Sequence, residues 1–62
     1  MNALEEKCLD LYDTIEECAE ALHVTPDFLK EVIDGTRKLD PPTIFAWSTV
    51  LNIPANETNK FF

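Results

Sequence analysis

Carboxylates are the most abundant groups in this chain that could do chemistry, with 12 Asp and Glu among 62 residues. Acid–base catalysis needs such groups in pairs within a cleft, beside a nucleophile or a metal. Here the acids are spread over the exposed faces of predicted helices, with no nucleophile–base pair beside them. We therefore expect the protein not to be an enzyme.

Two cysteines and one histidine are the other candidates for chemistry. Cys8 and Cys18 have neither the C-x-x-C spacing nor the accompanying histidines of a zinc site, so we expect two reduced, buried, structural thiols. His23 lies in a predicted turn without a visible partner for metal binding or proton transfer. We expect no metal and no cofactor.

The balance of charge is acidic, with a formal net charge of −7 and a pI near 4.3. From Glu5 to Asp34 there are ten acids against two lysines, whereas the remainder carries a net charge of +1. A nucleic-acid-binding module normally has the opposite balance. The acids form either a simple solvated face or a surface for a basic partner. Arg37-Lys38 is the best candidate for binding phosphate, with an ordinary solvated loop as the alternative.

A chain of this length forms one small domain, residues 1–62, with limited surface to bury. No apolar run approaches the ~20 residues of a membrane span, and we identify no secretory signal peptide. The hydrophobic fraction of 45% is that of a globular chain. We expect a cytoplasmic protein.

Apolar residues recur at helical spacing between breaks at Pro and Gly, which predicts an all-α chain of five short helices. Thr14 with Glu17 matches a capping box, and Thr25-Pro26 is a typical helix start. Gly35 is predicted to end the third helix, and Asp40-Pro41 to begin the fourth. Asn56 is the predicted cap of the fifth. The residues predicted to face inward are Leu4, Cys8, Leu11, Ile15, Cys18, Ala19, Leu22, Leu29, Val32, Ile33, Ile44, Trp47, Val50 and Leu51.

The second and third predicted helices, about residues 15–34, have the spacing of a helix-turn-helix motif. Ala19 supplies the small residue at the helix crossing, and Leu22, Val24 and Leu29 supply apolar anchors. The segments TIEECAEALHVT and FLKEVIDGTRKLDPPT resemble the Cro/repressor (XRE-type) helix-turn-helix family, most closely the branch of HigA- and VapI-type antitoxins. The resemblance runs from Thr14 to about Glu57. His23 replaces the glycine usual in the turn, and His tolerates a positive φ there.

The resemblance implies a DNA-binding surface on the third helix and the loop after it. Most of its helix positions lack the basic and amide side chains that usually read bases. Phe28 either touches a thymine methyl group or packs against the first helix. The residues placed in the DNA-binding surface by resemblance are Thr14, Thr25, Asp27, Phe28, Lys30, Glu31, Thr36, Arg37 and Lys38.

Two functions follow from these features. The first is a small transcriptional regulator that binds operator DNA weakly, as a homodimer. In the family the fourth and fifth helices commonly form the subunit contact. Here this implies residues 54–62, with Pro54, Phe61 and Phe62 as the residues of the dimer interface. The alternative is an acidic protein-binding module, an antitoxin or antirepressor, that neutralises a basic protein.

Overall fold

The chain folds into five α-helices and one turn of 3₁₀-helix in a computed structural model that describes residues 2–62. In chain order they are α1 (Ala3–Leu11), α2 (Ile15–Ala21), α3 (Pro26–Asp34), α4 (Pro41–Val50), the 3₁₀ turn (Ala55–Glu57) and α5 (Thr58–Phe61). No strand occurs in residues 2–62, so the predicted all-α class is confirmed. None of these helices is both long and apolar enough to cross a membrane.

The helix starts follow from capping side chains. The Thr14 hydroxyl accepts a hydrogen bond from the Glu17 N–H at 3.1 Å, and the Thr25 hydroxyl accepts one from the Phe28 N–H at 3.1 Å. Each bond satisfies a backbone donor that the first helical turn leaves unpaired. Both caps were predicted from the sequence and are confirmed.

The fourth helix begins where the sequence predicts, whereas the fifth does not. Asp40 precedes α4 as predicted, but its side chain makes no capping hydrogen bond of the kind that Thr25 makes. The Thr43 side chain still lowers the pKa of this exposed carboxyl. The prediction that Asn56 caps the last helix is wrong. Asn56 lies inside the 3₁₀ turn, and α5 begins two residues later because the chain first tightens into i→i+3 hydrogen bonds.

Three of the described residues adopt the left-handed backbone conformation: His23 with φ 61°, Gly35 with φ 83° and Asn52 with φ 57°. Gly35 ends α3 as predicted, since its N–H bonds back to the Val32 carbonyl at 3.1 Å. His and Asn are among the non-glycine residues that enter this region most readily. The positive φ expected at His23 is therefore confirmed.

The core lies between α1, α2, α3 and α4. Two residues predicted to face inward are exposed: Leu11 by 41% and Val50 by 38%. Each is the last residue of its helix, where the covering residues no longer extend over it. Ser48, the one buried polar residue in the described chain, donates its hydroxyl to the Ile44 carbonyl at 2.7 Å. The buried apolar residues are Leu4, Cys8, Cys18, Ala19, Leu22, Leu29, Trp47, Leu51 and Ile53.

Candidate functional site

The turn between α2 and α3 is held against the last residues of α2. Ala19 is fully buried, and its carbonyl accepts the N–H groups of Leu22 at 3.1 Å and Val24 at 3.0 Å. A larger side chain at this position would collide with a packed interior. Ala19 and the fully buried Leu29 therefore fix how α3 sits on α2.

The charged residues of α3 are mainly acidic. Asp27, Lys30 and Asp34 are exposed, while Glu31 is half-buried. Their exposure leaves Asp27 and Lys30, two of the residues placed in the DNA-binding surface, available to a partner. Charge alone does not favour DNA on this helix, because three acids face one lysine.

Arg37 is engaged with Glu31, a contact that sequence reasoning did not find. The Arg37 Nε–H donates to Glu31 Oε1 at 2.7 Å, and this is the only ion pair in residues 2–62. The side chains are 48% and 46% exposed, so water screens the pair and its net contribution to stability is at most about 1 kcal/mol. Its main effect is to place a compensating negative charge beside Arg37.

The backbone holds this pair in place. The Glu31 carbonyl accepts the N–H groups of Thr36 at 3.0 Å and Arg37 at 3.2 Å, and also the Thr36 hydroxyl at 3.2 Å. Thr36, another residue placed in the DNA-binding surface, is thus used within the chain. The result is a short loop folded back over the C-terminal end of α3, with Arg37 at its tip.

Phe28 packs inside the protein rather than presenting its full face to a partner. Its ring meets the Trp47 ring edge-on, with centroids 6.1 Å apart, and the Arg37 guanidinium carbon lies 4.8 Å from the Phe28 centroid. Such aromatic and cation–π contacts are each worth about 1 kcal/mol. Of the two alternatives for Phe28, packing against the core is the one observed, and it includes the contact with Trp47 of α4.

Lys30 and Lys38 are the uncommitted cations of this region. Both are exposed, and neither forms an ion pair with any residue from 2 to 62. Lys38 lines a shallow groove of about 260 Å³ together with Leu39 and Phe61. Lys30 lies on α3, and Arg37 and Lys38 lie in the loop that follows it. We call these three exposed residues the cationic edge.

The acids of α1 and α2 form a second charged surface. From Glu5 to Glu20 seven acids accompany one lysine, a net charge of −6, and six of the seven are exposed. None of them forms an ion pair within the described residues. We call this the acidic surface; its members are Glu5, Glu6, Asp10, Asp13, Glu16, Glu17 and Glu20.

Of the residues placed in a dimer contact, Phe61 and Phe62 contact other residues of their own chain. Phe61 is half-buried against the core, and the Phe62 ring lies edge-on to Trp47 with centroids 6.3 Å apart. Pro54 is exposed. The most exposed aromatic residue of those described is instead Phe45, at 73%. Sequence reasoning missed it, although the absence of charge throughout α4 was a signal.

The two cysteines meet in the core between α1 and α2. Both are fully buried and neither forms a disulfide. Burial raises the pKa of the Cys8 thiol strongly, and the neighbouring Cys18 thiol raises it further; burial also raises the pKa of Cys18. Raised pKa values disfavour the reactive thiolate. The prediction of two buried thiols is confirmed.

Comparison with known proteins adds no relative. No protein-family model matches the chain, and no curated protein or solved structure matches it either. Any function must therefore be argued from the residues described above.

Proposed function

We propose that the chain is a helix-turn-helix protein of Cro/repressor type that binds operator DNA weakly, as a homodimer. The observation that carries this is the cationic edge: three of the five Lys and Arg residues lie exposed on α3 and its following loop. These elements form the outer side of the α2–turn–α3 unit, where a helix-turn-helix protein meets the major groove. This is the assignment to which the sequence resemblance also pointed.

Charge decides which face approaches DNA. Between Thr25 and Lys38 three cations and three acids cancel, whereas the acidic surface has a net charge of −6. A polyanion is repelled by α1 and the exposed side of α2, and only the α3 side is neutral enough to bind it. Binding then depends on a few local phosphate contacts rather than on the overall field of the protein.

Three phosphate contacts per subunit give about six in a dimer. At a salt slope of about −0.9 per contact, affinity would fall about 10³-fold between about 50 and 200 mM salt. Three contacts per subunit are few for tight binding by a monomer. The amide groups at the start of α3, near Thr25, add partial positive charge to the proposed surface, whereas the start of α2 at Thr14 carries Glu16 and Glu17 in its first turn.

Base recognition would come from α3. Lys30 is exposed and can donate to guanine, while Asp27 can accept from the amino group of cytosine. Glu31 is held by Arg37 and Phe28 by Trp47, so both act mainly by shaping the loop and not by reading bases. Specificity would therefore rest on few base contacts, consistent with weak binding.

The test is fluorescence anisotropy with duplex DNA from the region flanking the protein's own gene, at about 50 mM salt. We expect Arg37→Gln/Lys38→Gln to weaken binding at least about 30-fold. Lys7→Gln/Lys60→Gln changes the net charge equally but lies outside the cationic edge, and should weaken binding no more than about threefold. Equal losses in both double variants would contradict the assignment of this face, and no binding by the unaltered protein would contradict the function.

A second candidate function is favoured by the acidic surface. Its carboxylates have no ion-pair partners within residues 2–62. The negative electrostatic potential of such a surface attracts basic proteins and speeds their association. An antitoxin or antirepressor that neutralises a basic protein would use this surface and leave α3 aside.

This candidate is tested by co-purification of a basic partner from the native host and by the salt sensitivity of the complex. Glu16→Gln/Glu17→Gln/Glu20→Gln should release the partner. The matched control, Asp27→Asn/Glu31→Gln/Asp34→Asn, removes the same charge from α3 and should retain it. Release by the control alone would place the partner on α3 instead.

A further inference from the structure

The contact between α1 and α2 brings two free thiols together in the core. Cys8 of α1 and Cys18 of α2 are both fully buried in one cluster of apolar residues, and neither forms a disulfide. The Cys18 thiol raises the pKa of Cys8, an effect that requires the two thiols to be neighbours. The sequence contains no other cysteine, so each thiol has the other as its only possible disulfide partner within the chain.

Helix α1 is the element whose opening exposes both thiols. It has nine residues, and an isolated helix of that length is marginal in water, so packing against the other helices holds it in place. Within α1 only Leu4 and Cys8 are buried, and the Asn2 side-chain amide before it donates a hydrogen bond to the Ile33 carbonyl of α3. Short elements with few buried side chains open more readily than the rest of a fold. Thiols that are protected in the closed state thereby become accessible without complete unfolding.

We propose that Cys8 and Cys18 form a reversible disulfide when α1 opens in the presence of a small-molecule disulfide such as glutathione disulfide. In the first step one cysteine thiolate attacks a sulfur of the oxidant, whose S–S bond breaks and releases one thiol. In the second step the other cysteine thiolate attacks the sulfur of the first, which forms the Cys8–Cys18 bond and releases the second thiol. The cysteines lose two protons and two electrons, and the oxidant is reduced to two thiols.

The new bond links α1 covalently to α2 across the turn between them. It adds no atom to the core, because both sulfurs are already buried there. The two cysteines are ten positions apart, and closing a loop of that length stabilises the fold by removing conformational freedom from the unfolded chain. Oxidation therefore keeps α1 closed, and reduction allows it to open again. This inference does not depend on the proposed function, and its test contains no DNA.

The test is incubation of the full, reduced chain in glutathione buffers with an increasing ratio of oxidised to reduced glutathione, followed by mass spectrometry and thermal denaturation. We expect a single chain that has lost two hydrogen atoms and both free thiols. Its midpoint of thermal unfolding should lie at least about 8 °C above that of the reduced chain, and reduction should reverse the rise. Cys8→Ala and Cys18→Ala should each stop at the mixed disulfide with glutathione, because the second thiol is missing.

Substitutions in α1 test whether its opening controls the reaction. Leu4→Ala removes a buried side chain of α1 and should speed oxidation at least about tenfold. Leu11→Ala is the matched control, since it makes the same change at a side chain that is 41% exposed, and should alter the rate less than about twofold. Asn2→Ala removes the cap of α1 and the bond to Ile33 without changing the core. It should speed oxidation about fivefold, and it tests the same point if Leu4→Ala does not fold.

The effect of urea separates opening of α1 from complete unfolding. Opening of one short helix exposes little surface, so about 1 M urea should speed oxidation less than about twofold, whereas a reaction through the unfolded chain would be speeded about fivefold.

Four results would overturn the proposal. These are free thiols in the folded chain at every glutathione ratio, a lower unfolding midpoint after oxidation, equal acceleration by Leu4→Ala and Leu11→Ala, and the fivefold acceleration by urea that complete unfolding predicts.

Discussion

The two sides of α3 follow different rules. On the inner side Leu29 is fully buried, as is Ala19 of α2, and the turn before the helix is fixed by hydrogen bonds to the Ala19 carbonyl. On the outer side Asp27, Lys30 and Asp34 stand in solvent. Packing determines the position of α3, whereas charge determines what it can meet there.

The buried side of α3 and its exposed side contribute differently to stability and to partner binding. Apolar packing contributes several kcal/mol per buried side chain, while an exposed ion pair contributes at most about 1 kcal/mol to stability. Outer-side charges can therefore change with little effect on the fold. A chain with a net charge of −7 can retain the α2–turn–α3 geometry whatever partner its outer side selects.

Substitutions of two neighbouring residues of α3, one buried and one exposed, should differ most in their effect on the free energy of unfolding. Leu29→Ala should lower the free energy of unfolding by about 2–5 kcal/mol, because it leaves a cavity in the core. Lys30→Ala, one residue along, should change it by less than about 0.5 kcal/mol. Urea denaturation followed by circular dichroism measures both, and equal destabilisation would show that the two sides of α3 are not distinct.

The burial of Cys8 and Cys18 in the core can be tested by the pH dependence of stability. Burial raises the pKa of both thiols above that of the unfolded chain, so only the unfolded state loses these protons above about pH 8.5. The thiols' contribution to stability is complete below that pH and is lost above it, by up to about 1.4 kcal/mol per pH unit for each thiol. Urea denaturation between pH 7 and 10 should show this fall, and Cys8→Ala/Cys18→Ala should flatten it. An unchanged slope would mean that the thiols are not buried as described.

Substitutions at Gly35 test the left-handed conformation that ends α3 before the loop that carries Arg37 and Lys38. A Cβ at this position would meet open space, so Gly35→Ala should cost only the backbone strain of a positive φ, about 1–2 kcal/mol. Gly35→Asn should cost less, because Asn tolerates this conformation. Thermal denaturation compares them. If Ala and Asn prove equally tolerated, the left-handed end of α3 is not retained in solution.

Local signals in the sequence were sufficient for the starts of α2 and α3 and for the end of α3. Thr14, Thr25 and Gly35 act through bonds to residues within three or four positions, so their roles are visible in the sequence itself. The contact between Phe28 and Trp47 joins residues 19 positions apart and depends on how α4 crosses α3. Packing of that kind cannot be obtained from periodicity.

The candidate site was less predictable than the fold. Sequence reasoning selected Glu31 and Arg37 for DNA, but the loop that follows Gly35 turns back and brings the two side chains together. The high exposure of Phe45 was not predicted, although Phe45 is absent from the residues predicted to face inward. Both depend on the path of the backbone and on where each side chain points, which residue type alone does not determine.

The smallest expected effect concerns that ion pair. Glu31→Gln removes the acid beside Arg37 and should strengthen DNA binding about threefold to tenfold, by releasing Arg37 and by reducing repulsion. Glu6→Gln makes the same charge change on α1 and should have less than half of that effect on the binding free energy. Anisotropy titrations at one salt concentration measure both, and equal gains would mean that only the total charge matters.

The salt dependence of DNA binding tests the central claim most directly. With three phosphate contacts per subunit from the cationic edge, the log–log slope for the dimer should be about −5, falling in magnitude to about −2 for Arg37→Gln/Lys38→Gln. A slope unaffected by that double substitution, or no binding even at about 50 mM salt, would contradict the proposal that this chain meets DNA through α3 and the loop that follows it.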